Sequence, residues 1–134
     1  MKRRVIVADD DPTIVSLVAL RLGVARYDVM SAGDADGALA MARTTMPDVV
    51  ILDVQMPGGG GLGALARLKA DPDLCRLPVM MLTGERNAAT VLQAMDGGAD
   101  DYMVKPFNPD LLLERVSRLA DRASSTPARP LWEI

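Results

Sequence analysis

Apolar, β-branched runs recur five times along the chain, at Arg4 to Ala8, Tyr27 to Ser31, Asp48 to Leu52, Leu77 to Leu82 and Asp101 to Val104. Each is short and bounded by polar or turn-forming residues, which predicts a strand, and four of the five read as buried. Helical spacing fills the intervals. The first and last helices open on Asp11-Pro12 and Asn108-Pro109. In both, a capping side chain is followed by a proline whose missing N–H is harmless in the first turn. The periodicity turns Ile14, Leu17, Val18 and Leu22 inward on the first helix and Leu112, Val116 and Leu119 inward on the last. The other helices are predicted over Asp34 to Thr44, Leu62 to Ala70 and Asn87 to Asp96, with Gly97-Gly98 ending the last of these.

Strands that alternate with helices predict an α/β fold, a (βα)5 doubly wound parallel sheet with right-handed crossovers. Five units are too few for an eight-stranded barrel. The expected strand order is the flavodoxin-like 2-1-3-4-5, which places ligands at the carboxyl ends of the strands near the switch between strands 1 and 3. Near Asp121 the pattern dissolves into Ser, Thr, Pro, Ala and Arg, so residues 1–121 are expected to form the domain and 122–134 a linker or flexible C-terminal tail. Trp132 falls in that tail, either as part of a terminal stub or, with Leu131 and Ile134, as a docking anchor.

With 134 residues, 49% of them hydrophobic, the chain has material for one core and not for two ordinary domains. A net charge of −3 supplies no field that would hold it on nucleic acid or an anionic membrane. Direct binding to either is therefore not expected. The single cysteine, Cys75, cannot form an internal disulfide. No run is long enough to span a bilayer. Together these point to the cytoplasm. Histidine is absent, which removes His-based general bases, serine triads and most catalytic zinc sites. Carboxylates, hydroxyls and Lys105 remain.

Those residues collect where this architecture builds sites. Strand 1 ends in Asp9, Asp10 and Asp11, strand 3 in Asp53, strand 4 in Thr83 and strand 5 in Lys105. With strands 1 and 3 adjacent, Asp9, Asp10 and Asp53 crowd together, and such carboxylates repel unless a cation lies among them. An oxygen-only set suits Mg2+, which takes one or two carboxylates together with phosphate oxygens. Lys105 and Thr83 are placed to bind the oxygens of an incoming phosphoryl group, and Asp53 is the natural nucleophile.

The segments Val5 to Pro12, Ile51 to Gly58, Met81 to Gly84 and Gly98 to Phe107 together resemble the receiver domains of bacterial two-component systems, over about residues 3 to 120. The resemblance implies a phosphoacceptor signalling domain that takes a phosphoryl group from a phosphohistidine partner onto Asp53, uses Mg2+ and switches conformation. It is not an enzyme in the ordinary sense, since only self-phosphorylation and slow autodephosphorylation are expected. By the family pattern Asp10, Asp53 and the Gln55 carbonyl bind the metal, Asp9 helps through water, and Thr83 and Lys105 contact the phosphoryl group. Thr83 and Tyr102 form the switch, and the Lys105-Pro106 bond is cis. The implied partners are a histidine kinase or histidine phosphotransfer protein, and an effector domain or downstream protein. The output face is expected around Asp101, Leu111 and Arg115, with Leu111 exposed. Asp101 with Arg115 matches one charge pair through which relatives joined to winged-helix domains dimerise, but Asn87, Val91, Gly97 and Leu111 stand where the other charges would be, so a weakened homodimer or a different contact is expected there in place of the fully charged dimer.

Two other readings fail on the residues. Gly58-Gly59-Gly60-Gly61-Leu62-Gly63 satisfies a dinucleotide fingerprint, with Glu85 about where a ribose-binding acid would be, but it belongs to the third unit and stands off from its strand. No organic cofactor is expected, and the glycines are read as a flexible loop. An aspartate-nucleophile phosphatase would need an acid two residues after Asp53, where Gln55 stands.

Overall fold

A computed structural model describes residues 2–125, with side chains as far as residue 122. Five strands and five helices alternate: β1 (Arg4–Ala8), α1 (Pro12–Val24), β2 (Asp28–Ala32), α2 (Ala35–Thr45), β3 (Val49–Leu52), α3 (Gly60–Ala70), β4 (Val79–Thr83), α4 (Ala88–Asp96), β5 (Asp101–Val104) and α5 (Pro109–Ser125). All pairings are parallel and the order is β2-β1-β3-β4-β5, as the sequence predicts. α5 continues to Ser125, while residues 126–134, which carry Trp132, lie outside the described residues.

The strand sequences are apolar throughout because helices cover both sheet faces, and successive side chains alternate between two cores. Ile6, Ala8, Val50, Leu52, Val79 and Met81 face the core shared with α2, α3 and α4. Val5, Val7, Val49, Ile51, Met80 and Leu82 face the core shared with α1 and α5. Every one of these residues is essentially inaccessible to solvent, and full burial of a Val, Leu, Ile or Met side chain contributes roughly 1.5–3 kcal/mol. β2 is half-buried, as befits an edge strand.

The caps form as their residue types predict. Asp11 accepts from the Thr13 N–H at 2.9 Å, Asp34 from Gly37 at 2.7 Å and Asn87 from Ala89 at 2.8 Å. Asn108 accepts from Asp110 at 2.8 Å. Each side chain satisfies a first-turn donor that has no partner within its helix.

Four local expectations are corrected. Tyr27 does not begin β2; its N–H closes the end of α1 on the Leu22 carbonyl at 3.0 Å. Leu77 lies in a turn, donating to Leu74 at 3.1 Å, and β4 starts two residues later and includes Thr83. α3 starts at Gly60, inside the glycine run and before Leu62. Leu17, read as inward, is 37% exposed. α1 is apolar on nearly every side, and the stripe that packs on the sheet passes through Val18 and Leu22 instead.

Candidate functional site

The register of the sheet assembles the predicted residues at one edge. Ala8 pairs with Leu52, so Asp9 and Asp53 leave neighbouring strands side by side, and the Asp53 N–H donates to the Ala8 carbonyl at 3.0 Å. Thr83 pairs with Val104, and the next residue, Lys105, donates its backbone N–H to the Thr83 carbonyl at 2.8 Å. Neighbouring β3 and β4 bring the two pairs together.

Carboxylate oxygens from Asp9, Asp10 and Asp53 lie within 4.8 Å of one another. Asp9 and Asp53 are buried, whereas Asp10 faces solvent. Three hard oxygen donors with one open side fit a divalent cation, and their mutual repulsion is the physical reason for it to bind. Lys105 partly neutralises the cluster. Its Nζ lies 2.6 Å from Asp9 Oδ2 and 3.1 Å from Asp53 Oδ2. The remaining carboxylate oxygens accept from backbone: Asp9 Oδ1 from the Asp11 N–H at 2.9 Å, and Asp53 Oδ1 from the Gln55 N–H at 3.1 Å.

Burial raises the pKa of Asp9, and the charge of Asp53 adds to the rise, against the lowering effects of Lys105 and the Asp11 N–H. Burial works against the charge of Lys105, but its hydrogen bonds to Asp9 and Asp53 outweigh this, and its pKa is raised. The ammonium is therefore held charged in a pocket that disfavours charge.

The Thr83 hydroxyl is fully buried, and its oxygen accepts from the Glu85 N–H at 3.3 Å. The Tyr102 hydroxyl donates to the carbonyl of the same Glu85 at 2.8 Å, and burial, followed by the nearby charges of Glu85 and Asp53, raises the phenol pKa. Glu85 thus links the two switch candidates through its backbone. Sequence reasoning missed this link, since a backbone contact leaves no residue-type signature. The Lys105-Pro106 peptide is cis.

Sequence reasoning also missed the work of the glycine run. Gly61 packs directly against the Asp53 backbone, where a β-carbon would stand 2.1 Å from the Asp53 carbonyl oxygen. One at Gly60, whose φ is +72°, would stand 2.6 Å from the Val54 carbonyl oxygen. Both distances are sterically impossible, so the loop read as merely flexible holds glycine where the chain needs close approach. The excess of glycines was the available signal.

On the expected output face, Arg115 pairs with Asp101 at 3.2 Å within the chain, and Leu111 is 40% exposed, as its helical position predicts.

The family model for the response regulator receiver domain matches residues 5–117. The DNA-binding response regulator MtrA of Mycolicibacterium smegmatis is 35% identical over 131 residues, covering 98% of this chain and 56% of that protein. The DNA-binding dual master transcriptional regulator RpaA of Synechocystis is 38% identical over 124 residues, covering 92% of this chain and 52% of that protein. The chain thus spans about half the length of the curated relatives it matches. Among solved structures, the chemotaxis response regulator CheY4 of Vibrio cholerae superposes with a TM-score of 0.83 at 33% identity, covering 89% of this chain and 99% of its own. The BeF3-activated DrrB receiver domain superposes with a TM-score of 0.79 at 32% identity, covering 91% of this chain and all of its own.

Proposed function

The chain belongs to the response regulator receiver family and is a phosphoacceptor signalling domain, and from that premise we propose that Asp53 is the acceptor and Thr83, Lys105 and Tyr102 its working partners. The observation that carries this reading is the convergence of Lys105 on two buried carboxylates at the sheet edge. An Asp53 oxygen attacks the phosphorus of a phosphohistidine on a histidine kinase or histidine phosphotransfer protein. The P–O bond to Asp53 forms as the donor's P–N bond breaks, leaving an acyl phosphate. Lys105 follows the negative charge from the carboxylates to the phosphoryl oxygens, and the Thr83 hydroxyl donates to another of them.

The donor set favours magnesium over softer metals, and Asp10, Asp53 and the Gln55 carbonyl, assisted by Asp9, are the groups that would hold it. When bound, the ion supplies charge neutralisation between the acceptor and the phosphoryl oxygens. Gln55 contributes no acid two residues from the acceptor, so hydrolysis of the acyl phosphate is slow.

Switching follows from the shared contact at Glu85. Once Thr83 turns to a phosphoryl oxygen it releases the Glu85 N–H, and the segment that holds Tyr102 by its hydroxyl is free to move. Tyr102 lies on β5 next to Asp101, and the signal leaves through the face bearing Asp101, Leu111 and Arg115. That face makes a weak homodimer contact or meets an effector domain or downstream protein. MtrA and RpaA are DNA-binding regulators by name; an output of that kind would come from sequence beyond the receiver fold. The acceptor is tested by reducing the phosphorylated protein with borohydride, which converts an acyl phosphate on aspartate to homoserine. Peptide sequencing is expected to find homoserine at position 53, and homoserine at position 9 or 10 would displace the assignment.

A further inference from the structure

A second charged cavity lies at the opposite end of the sheet from Asp53. Lys2 and Arg3 precede β1, and Ala25, Arg26 and Tyr27 join α1 to β2, where the Asp28 N–H donates to the Arg3 carbonyl at 2.8 Å. These five residues line an open cavity of about 520 Å³, within the range of about 300–1,000 Å³ common for small-molecule sites. Lys2, Arg3 and Arg26 give it a positive wall.

That charge is not cancelled locally. Arg3 uses one N–H on Asp121 at 2.6 Å, and its guanidinium has further donors. Among the described residues the side chains of Lys2 and Arg26 make no ion pair. Asp28 shares the sheet face of Met30, not that of Tyr27 and Val29. The carbonyls ending α1, which would repel an anion, are closed: Leu22 accepts from Ala25 at 3.1 Å and from Tyr27 at 3.0 Å, and Gly23 from Arg26 at 3.0 Å.

Arg26 carries a further signal. It follows the Ala25 cap of α1 with a φ of +71°, the left-handed position where glycine is least strained. An arginine held there keeps its side chain against a backbone cost, and such strain beside a cavity points to binding. We propose that the cavity takes a phosphorylated small molecule of nucleotide size. Lys2, Arg3 and Arg26 hold its phosphate through charge-assisted hydrogen bonds. Its body lies against Ala25 and the edge of the Tyr27 ring, which Ser117 fixes through the phenol hydroxyl at 2.9 Å. Inorganic phosphate alone would leave most of the cavity unfilled.

The test titrates AMP, adenosine and inorganic phosphate separately against the full chain, at constant ionic strength and with a chelator present, and follows backbone amides by NMR. Saturable shifts are expected with AMP at residues 2, 3 and 25–27. Inorganic phosphate should bind several-fold more weakly, and adenosine should not saturate. Lys2→Gln and Arg26→Gly are each expected to weaken AMP about tenfold, the worth of one charge-assisted hydrogen bond. Arg67→Gln, which removes a cation paired with Asp36 outside the cavity, should bind as the parent does. Arg26→Gly relieves the left-handed strain, so it should melt no lower than the parent while losing affinity. Shifts centred on Asp9, Asp53 and Lys105 would overturn the proposal, as would equal affinity for AMP and adenosine or for AMP and phosphate. So would unchanged binding in both cavity variants, or a loss in Arg26→Gly that comes only with lost stability.

Discussion

Lys105 binds Asp9 more closely than Asp53, at 2.6 Å against 3.1 Å, although Asp53 is the proposed acceptor. The ammonium rests on the neighbouring carboxylate and leaves Asp53 only partly engaged, a geometry in which the acceptor can be freed while the charge stays in place. Lys105→Ala removes the shared partner and leaves two buried carboxylates facing each other. The loss is expected to destabilise the metal-free protein by about 1.5–3 kcal/mol, the range for hydrogen bonds to charged groups, with saturating magnesium restoring part of it. Chemical denaturation with and without magnesium measures this. A variant as stable as the parent in the absence of metal would show that the pairing contributes nothing.

The pH dependence of the cluster has a definite sign. Burial raises the Asp9 pKa, so the folded protein holds this proton more tightly than the unfolded chain. Stability from this group is present below the ordinary aspartate range and is lost as pH rises through the raised folded value. Magnesium competes with the same proton, so its stabilising effect is expected to be larger at neutral than at mildly acidic pH, and Asp9→Asn is expected to flatten the difference. Thermal melts across that window provide the check, and a magnesium increment independent of pH in the parent would contradict the sign.

Gly61 and Gly59 make a matched pair. A β-carbon at Gly61 collides with the Asp53 carbonyl, whereas one at Gly59 meets nothing within 4 Å and bears only the strain of a φ of +96°. Gly59→Ala is expected to cost about 1–2 kcal/mol of stability, the left-handed penalty, and to leave phosphorylation intact. Gly61→Ala displaces the acceptor itself. Its stability loss of about 1–3 kcal/mol is expected to come with a clear drop in phosphorylation rate from acetyl phosphate even where the protein is fully folded. Equal rates in the two variants would remove Gly61 from the positioning of Asp53.

The output face is tested by sedimentation with and without beryllofluoride. Arg115 is occupied by Asp101 within the chain, and Leu111 is exposed beside it. Activation is expected to produce weak self-association that Leu111→Glu and Arg115→Glu both diminish. If the activated parent and both variants sediment alike, the signal leaves by another surface.

The strand order and the acceptor edge were legible because they rest on strong signals. Strands buried on both faces read as continuous apolar runs, and carboxylates directly after such runs have few other places to go. α1 was less legible for the same physical reason: with Ile14, Val15, Leu17, Val18, Leu20 and Leu22 spread around the helix, no face stands out. Packing against α5 and the sheet selects Val18 and Leu22 and leaves Leu17 outside. The start of α3 was hidden by glycines, which carry no periodicity. The link from Thr83 to Tyr102 runs through the Glu85 backbone and depends on a loop conformation that residue types do not encode.

The most direct test of the central claim is intact-protein mass spectrometry after incubation with acetyl phosphate, for the parent and Asp53→Asn, with magnesium and with a chelator. The account predicts one labile phosphate adduct on the parent, formed only with magnesium, and none on Asp53→Asn. Equal labelling of Asp53→Asn, or of the parent with the chelator present, would contradict it.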